Sequence, residues 1–203
     1  MGLHKIAVIG AGTMGSGIAG QIANAGHKVL LLDLTKDATD YALERLQKSE
    51  PAPLHQQSNV DLIETGTIDA DFDKLADCDW IVEAIVERLD IKRILYQNLL
   101  PYLKDEAVIS SNTSTIPISL LMEGMPETLR QRFCITHFFN PVRYMRLLEL
   151  LKGEETQQQV IDRLSQFCES SLGKGVVECA DTPGFLGNRV GVFAMQTAID
   201  EAT

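Results

Sequence analysis

The sequence predicts an α/β protein whose doubly wound, mostly parallel sheet carries helices on both faces. Short apolar runs alternate with segments of helical periodicity over most of the 203 residues, a pattern typical of parallel βαβ units. The first of these units contains the spacing G-x-G-x-x-G, formed by Gly10, Gly12 and Gly15. Together, the alternation and the glycine spacing indicate a Rossmann-like fold.

Each predicted strand is a short, mainly apolar run bounded by glycine, proline or polar residues. The runs cover residues 6–9, 29–32, 80–86, 107–110, 133–139, 146–151 and 175–179. Between them, apolar residues recur every three or four positions and predict helices. The predicted helices cover residues 16–25, 38–49, 90–103, 117–124 and 156–172. Residues 50–59 contain two prolines and break the pattern, so we expect a surface excursion there.

The glycine-rich turn and the acid that follows it predict a dinucleotide site. Gly10 suits a tight turn, Gly12 lets the backbone approach a pyrophosphate, and Gly15 allows the helix to pack closely on the strand. The N-terminus of that helix offers free N–H donors to an anion. Asp33 follows Gly15 by 18 residues, where a carboxylate binds a ribose 2′-hydroxyl and repels a 2′-phosphate. We therefore expect NAD rather than NADP, against the alternative of a glycine-rich turn that binds nothing.

The composition limits the possible partners of the chain. A net charge of −10 and a pI near 4.8 argue against nucleic acid and anionic membrane surfaces. No apolar run approaches the ~18 residues that span a bilayer, and the first strand begins too near Met1 for a targeting peptide. We expect a cytoplasmic protein. Its four cysteines lack C-x-x-C spacing, which favours buried thiols over disulfides or a metal site.

Polar side chains follow three predicted strands at their carboxyl ends. Glu87 follows the run that begins at Trp80, residues 111–114 follow the run that begins at Ala107, and His137 lies near the end of a third strand. Ligands of open α/β sheets bind beyond these ends, so we expect the three clusters to converge. For residues 111–114, the alternative role of an N-cap for the next helix is equally compatible with the sequence.

His137 and Glu149 are the candidates for acid–base chemistry. His137 interrupts an apolar strand, where a core imidazole bonded to a backbone carbonyl is the simpler interpretation. Glu149, however, interrupts LLELL on the next strand, and a buried carboxylate is costly unless it is paired. Pairing with the imidazole would fix its tautomer and raise the basicity of its free nitrogen, as a general base requires.

Five motifs occur in order along almost the whole chain: GAGTMGSGIA, VEAIVE, SSNTST, HFFNPV followed by LLE, and DTPGFLGNR. This set resembles the NAD-binding domain of L-3-hydroxyacyl-CoA dehydrogenases of fatty-acid β-oxidation. The strings SEPAPL and ERLDIKR further resemble the bacterial form, in which this domain opens a longer multifunctional protein with an enoyl-CoA hydratase-like module. The resemblance implies NAD-dependent oxidation of (S)-3-hydroxyacyl-CoA to 3-oxoacyl-CoA.

The resemblance also implies roles for individual residues. His137 would accept the proton of the substrate's 3-hydroxyl while Glu149 orients the imidazole. Ser114 would hydrogen-bond the reacting oxygen, and Asn188 would contact the substrate near its thioester. The candidate contacts for coenzyme A are Lys48 and Ser49. The positions that match NAD contacts in the family are Gly10, Gly12, Thr13, Met14, Gly15, Asp33, Glu87, Lys92, Ser114 and Asn140.

The C-terminal part of the chain predicts a domain boundary. Residues 181–184, DTPG, form a turn signal, so we expect a dinucleotide-binding domain over residues 1–182 and the start of a second domain over 183–203. Val190 and Phe193 belong to an apolar stripe at helical spacing, which needs a surface to pack on. The family completes its active site with an all-helical domain. The resemblance thus implies that this chain carries only the first helix of that domain, through which it contacts a second copy or a partner module.

Two alternative functions fit the same residues. One is a sibling dehydrogenase of a free hydroxy acid or sugar acid, as in crystallin-like relatives of the family. The two aromatic residues after His137 favour the acyl-CoA branch instead. The other alternative is a module that binds NAD but, without its helical partner, turns nothing over.

Overall fold

The computed structural model describes residues 2–202 and contains one eight-stranded sheet with the order β3-β2-β1-β4-β5-β6-β7-β8. The strands are β1 (Lys5–Ile9), β2 (Lys28–Asp33), β3 (Ile63–Thr67), β4 (Trp80–Glu83), β5 (Val108–Ser111), β6 (Phe133–Phe138), β7 (Leu147–Lys152) and β8 (Gly175–Cys179). Neighbouring strands run parallel except β6 and β7, which are antiparallel. The predicted mostly parallel, Rossmann-like sheet is confirmed.

Helices cover both faces of this sheet. They are α1 (Thr13–Asn24), α2 (Lys36–Lys48), α3 (Ile68–Asp71), α4 (Leu89–Leu99), α5 (Ile118–Leu121), α6 (Glu127–Arg130), α7 (Gln158–Ser170) and α8 (Gly187–Ala202). Successive residues of a strand point to opposite faces. Accordingly, Ile6 and Val8 pack with α1, α2 and α7 in one apolar cluster, while Ala7 and Ile9 pack with α4, α5 and α6 in the other.

Local sequence signals set several helix ends. The Thr35 side chain accepts a hydrogen bond from the Ala38 N–H and caps α2. At the end of α1, Gly26 adopts φ 82°, a left-handed conformation that glycine takes without strain. Its N–H donates to the Ala23 carbonyl over 2.9 Å. The end of α1 thus directs the chain into β2, and the Thr35 cap begins α2 directly after β2.

The strand from Trp80 is shorter than predicted, ending at Glu83 rather than Val86. The reason lies in the Glu83 side chain, because its Oε1 accepts the backbone N–H of Ile85 over 2.8 Å. That N–H is therefore withdrawn from the sheet, and the chain turns away. Glu87 consequently lies on the connection to α4 and not directly at the strand end.

Two other predicted boundaries are wrong. The helix predicted from residue 90 to 103 ends at Leu99 and continues as a 3₁₀ turn, Leu100–Tyr102, because Pro101 has no N–H for the helical ladder. The helix predicted over residues 117–124 forms only one turn, Ile118–Leu121. Strand β3 was not predicted, because only Ile63 of this edge strand is buried and its sequence, IETGT, is mostly polar.

The predicted surface excursion at residues 50–59 is anchored rather than free. Its Leu54 is only 3% exposed. Arg143 Nη1 donates to the carbonyl oxygens of Ala52 (2.6 Å) and Leu54 (2.9 Å), and the Tyr144 hydroxyl donates to Ala52 over 2.9 Å. The excursion is therefore fixed against the turn that follows β6.

Helix α8 extends from the sheet with its apolar side chains in solvent. The helix contains no buried residue, and Phe193 is 75% exposed. The division at residues 182 and 183 stays a prediction. Within residues 2–202, no helix is long and apolar enough to cross a membrane. All four cysteines are free thiols, and three of them, Cys78, Cys134 and Cys168, are buried.

Candidate active site

The glycine-rich turn between β1 and α1 has little room for any other residue at two of its three positions. Gly10 adopts φ 105°, and a Cβ atom there would lie 2.5 Å from the Ala84 carbonyl oxygen. A Cβ at Gly15 would lie 1.7 Å from the Gly10 carbonyl oxygen. At Gly12, by contrast, a Cβ would have no neighbour within 4 Å. Gly10 and Gly15 thus allow close packing, and Gly12 keeps the space in front of α1 open.

The open space beside this turn fits a dinucleotide. No side chain caps the N-terminus of α1, and its first turn contains no acid, so the N–H groups there are available to an anion. Gly10, Gly12 and Asp33 line a cavity of about 420 Å³. Its other walls are mainly apolar and comprise Leu34, Ile68, Ala84, Ile85, Val86, Ile91, Ile94, Leu95 and Asn98. A pyrophosphate suits the helix terminus, a ribose suits Asp33, and an adenine ring suits the apolar walls.

Asp33 is fixed at the mouth of this cavity by the backbone. Its Oδ2 accepts the Ala11 N–H over 2.6 Å, and its Oδ1 accepts the Leu34 N–H over 2.6 Å. The carboxylate therefore has a defined orientation and keeps lone pairs for further donors. Its role at the ribose stays a prediction.

Sequence reasoning missed Glu83, which lies fully buried at the end of β4. Its Oε1 accepts from Lys92 Nζ over 2.5 Å, and its Oε2 accepts from the hydroxyls of Tyr96 and Ser111, each over 2.6 Å. The signal was present, because Glu83 interrupts the apolar run WIVEAIV just as Glu149 interrupts LLELL.

Glu87 and the serine–threonine turn after β5 converge as predicted. Glu87 Oε1 accepts from the Thr113 hydroxyl (2.5 Å), the Ser114 N–H (3.1 Å) and the Thr115 hydroxyl (3.1 Å). Burial alone would raise the pKa of Glu87, but the Thr113 hydrogen bond and the nearby Lys92 charge lower it overall. Glu87 is therefore an ionised acceptor at neutral pH, with 39% of its side chain exposed.

Lys92 is 1% exposed, with its ammonium between Glu83 Oε1 at 2.5 Å and Glu87 Oε2 at 3.4 Å. It thus lies behind Glu87. The charge of Lys92 is placed where it can orient Glu87. Lys92 itself has almost no exposed surface for contact with a ligand.

His137 and Glu149 form the predicted pair. They are directly opposite residues of antiparallel β6 and β7, and His137 Nδ1 lies 2.6 Å from Glu149 Oε2. An ionised carboxylate only accepts, so Nδ1 carries the proton and Nε2 is the free, basic nitrogen. Glu149 is fully buried and His137 is 6% exposed.

The second oxygen of Glu149 holds the start of α8. Its Oε1 accepts the N–H groups of Leu186 (2.9 Å) and Gly187 (2.6 Å), a favourable place for an anion at a helix N-terminus. Nearby, Phe185 adopts φ 47°, which is rare for an aromatic residue. Its ring packs edge-on to His137 with centroids 5.6 Å apart. Sequence reasoning missed this residue because backbone strain has no compositional signal.

A second cavity, of about 320 Å³, brings five of the predicted site residues together. Its lining comprises Met14, Asn112, Ser114, His137, Phe138, Phe139, Asn140 and Asn188. Asn112 belongs to the predicted 111–114 cluster, but no individual role was predicted for it. It joins two elements of the site, because its Oδ1 accepts the Phe138 N–H over 2.9 Å. Lys48 and Ser49 do not line this cavity. Lys48 is exposed at the end of α2 and pairs with Glu44 over 2.6 Å.

Comparison with known proteins identifies the family of the chain. The family model described as the NAD-binding domain of 3-hydroxyacyl-CoA dehydrogenase matches residues 5–182. The chain belongs to this family. NAD is its cofactor, in agreement with the glycine-rich turn and Asp33.

Individual relatives extend beyond this domain. One relative, from Rickettsia felis, is named as a fatty acid oxidation complex trifunctional enzyme. It is 47% identical to this chain, and the match covers 98% of this chain and 29% of the relative. A Deinococcus radiodurans relative, named for 3-hydroxyacyl-CoA dehydrogenase activity, is 45% identical over 98% of this chain and 60% of its own length. The solved (S)-3-hydroxybutyryl-CoA dehydrogenase of Ralstonia eutropha superposes with a TM-score of 0.80 at 30% identity, covering 93% of this chain and 67% of that chain. The chain thus spans less than two thirds of both curated relatives.

Substitution of Gly15 should mainly lower the stability of the fold, whereas substitution of Gly12 should mainly weaken NADH binding. Gly15→Ala should lower the free energy of unfolding by more than about 2 kcal/mol, because its methyl group meets backbone. Gly12→Ala should cost less than about 1 kcal/mol yet weaken NADH binding at least ~10-fold, because its methyl group occupies the approach of the pyrophosphate. Urea unfolding and NADH fluorescence titration measure both. Unchanged NADH affinity in Gly12→Ala would contradict the placement of the pyrophosphate.

Asp33 predicts a cofactor preference that can be measured on this chain. NADH should bind at least ~100-fold more tightly than NADPH, because a 2′-phosphate would face a fixed carboxylate. Asp33→Asn keeps the shape of the side chain and removes its charge, so the ratio of the two dissociation constants should fall at least ~10-fold. Equal affinities of the unsubstituted chain for both cofactors would remove the assigned role of Asp33.

Proposed function

We propose that this chain is the NAD-binding and proton-transferring part of an enzyme that oxidises (S)-3-hydroxyacyl-CoA to 3-oxoacyl-CoA. The observation that carries the proposal is the His137–Glu149 pair, which borders the same cavity as Ser114 and Asn140. This cavity reaches α1 through Met14, a residue of the helix turn offered to the cofactor pyrophosphate. A proton acceptor and the cofactor site are therefore neighbours, as a hydroxyl oxidation requires.

In the proposed mechanism, His137 Nε2 takes the proton of the 3-hydroxyl. When bound, NAD supplies the acceptor for the hydride that leaves C3. Glu149 stabilises the imidazolium that forms, since its Oε2 already accepts from Nδ1. The Ser114 hydroxyl donates to the reacting oxygen, and the Asn188 amide binds near the thioester. Both residues line the His137 cavity.

The wider setting of the proposal is fatty-acid β-oxidation. It is supported by the name of the Rickettsia relative, of which this chain spans only 29%. The exposed apolar side of α8 is proposed to contact a helical domain, a second copy or a partner module, and the candidate contacts of the coenzyme A moiety are Lys48 and Ser49. A free hydroxy acid is the competing substrate. Acetoacetyl-CoA and acetoacetate, compared as oxidants of NADH, separate the two.

The proposed role of His137 as the base can be tested by kinetics. The protein assayed is this chain joined to the C-terminal segment of the Deinococcus relative. His137→Gln should lower kcat by roughly two to four orders of magnitude, the usual contribution of a positioned general base, with NADH affinity unchanged. Steady-state oxidation of NADH by acetoacetyl-CoA measures the first quantity, and fluorescence titration the second. Near-normal turnover of His137→Gln would return this residue to a structural role.

A matched variant separates orientation from proton transfer. Glu149→Gln should lower kcat less than His137→Gln, because the imidazole keeps its free nitrogen while losing its charged partner. It should also increase the hydrogen exchange of the Leu186 and Gly187 amides, which bond to Glu149 Oε1. His137→Gln should leave those two amides protected.

A further inference from the structure

Arg45, on α2, contacts the glycine-rich turn. Its Nη2 donates to the carbonyl oxygens of Ala11 (3.1 Å) and Gly12 (2.6 Å) and to the Ser16 hydroxyl (2.5 Å). The guanidinium also lies over the Tyr41 ring, 5.7 Å from its centroid. One side chain of α2 thus donates to three acceptors, two in the glycine-rich turn and one in the first turn of α1.

These contacts fix the direction of the turn. Arg45 binds the carbonyl of Ala11, while Asp33 Oδ2 accepts the N–H of the same residue over 2.6 Å. The two oppositely charged side chains therefore hold Ala11 from opposite ends of its backbone. With the Ala11 and Gly12 carbonyls taken by the guanidinium, the turn is held in one conformation in front of α1.

The same contacts bring a positive charge to a site that needs one. The chain carries a net charge of −10, and no side chain caps the first turn of α1. A pyrophosphate at this helix start would meet the free backbone N–H groups and the positive charge of the guanidinium, which lies 2.6 Å from the Gly12 carbonyl oxygen. Charge-assisted interactions are the stronger kind in such a site.

We propose that Arg45 is a positioning residue for the cofactor pyrophosphate, which holds the glycine-rich turn and supplies the local positive charge. The inference rests on the NAD site of the proposed function and does not require turnover. Since the guanidinium is already committed to three acceptors, it is not free to bind a 2′-phosphate, so Arg45 does not oppose the selection of NAD by Asp33.

The test compares ligands with and without the pyrophosphate on the 203-residue chain. NADH binding is followed by fluorescence, and the affinities of ADP-ribose and adenosine are measured by competition against NADH. The variants are Arg45→Gln, which removes the charge, and Arg45→Lys, which keeps it with a single ammonium group. Lys28→Gln is the matched control. Lys28 is exposed at the start of β2, at the amino ends of the strands, whereas the glycine-rich turn lies at their carboxyl ends.

In Arg45→Gln, NADH and ADP-ribose should bind about 10- to 100-fold more weakly, with adenosine unchanged within about twofold. Arg45→Lys should lose about 3- to 10-fold for NADH and ADP-ribose, and Lys28→Gln should match the unsubstituted chain. The affinity for NADH should fall less steeply with salt in Arg45→Gln. If Arg45→Gln fails to fold, the Arg45→Lys titration carries the test.

Two results would overturn the inference. One is NADH affinity within twofold of the unsubstituted chain in both Arg45 variants. The other is an equal loss for adenosine and ADP-ribose, which would show general damage to the site without a pyrophosphate-specific role. Neither result depends on acetoacetyl-CoA turnover, so failure of this inference and failure of the proposed oxidation are distinguishable.

Discussion

A single buried carboxylate, Glu149, is the constraint on which the site depends. It lies on β7 with no exposed surface, and breaking a buried charged pair typically costs about 3–5 kcal/mol. One oxygen binds the imidazole of His137 on β6, and the other binds two backbone N–H groups at the start of α8. The antiparallel β6–β7 pairing and the direction in which α8 leaves the sheet are thus joined at one side chain. A change in either would remove the partners of one of its two oxygens.

The cofactor side and the proton-transfer side form one continuous structure. Glu83 binds Lys92 and the hydroxyl of Ser111, and the Ser111 hydroxyl accepts the Thr113 N–H over 3.1 Å. Thr113 in turn donates to Glu87. This chain of polar contacts connects β4, α4 and the turn after β5, all at the carboxyl edge of the sheet. It positions Ser114 through the Ser114 N–H, which donates to Glu87, and Asn112 joins the same turn to β6 by accepting the Phe138 N–H.

Much of the sheet and part of the site were predictable from local sequence patterns. Strands buried on both faces appear as apolar runs, and an acid that interrupts such a run, as Glu149 does, must have a partner. Gly10 and Gly15 of the turn are specified by clashes that only glycine avoids. Edge strand β3 escaped prediction because it is mostly polar. Glu83 carried the same signal as Glu149, but its partners Tyr96 and Ser111 lie 13 and 28 residues away.

Arg45 illustrates the limit of sequence reasoning more sharply. Its spacing on α2 is that of an ordinary surface residue, and its contacts lie 29 to 34 residues away on the glycine-rich turn. Only the packing of α2 against α1 and the turn before it brings them together. The anchoring of residues 50–59 was not predictable for the same reason, since the partner Arg143 follows β6 and is 91 residues from Ala52.

The most direct test of the account is kcat/KM for acetoacetyl-CoA, measured for the 203-residue chain and for the same chain joined to the C-terminal segment of the Deinococcus relative. Both should bind NADH with similar affinity, because the residues of the cofactor site lie within residues 5–182. The joined chain should turn over at least ~100-fold faster, because the added segment is expected to pack on the exposed apolar side of α8 and to hold the substrate beside His137. Comparable values for the two chains, or NADH binding without any turnover in the joined chain, would contradict the account.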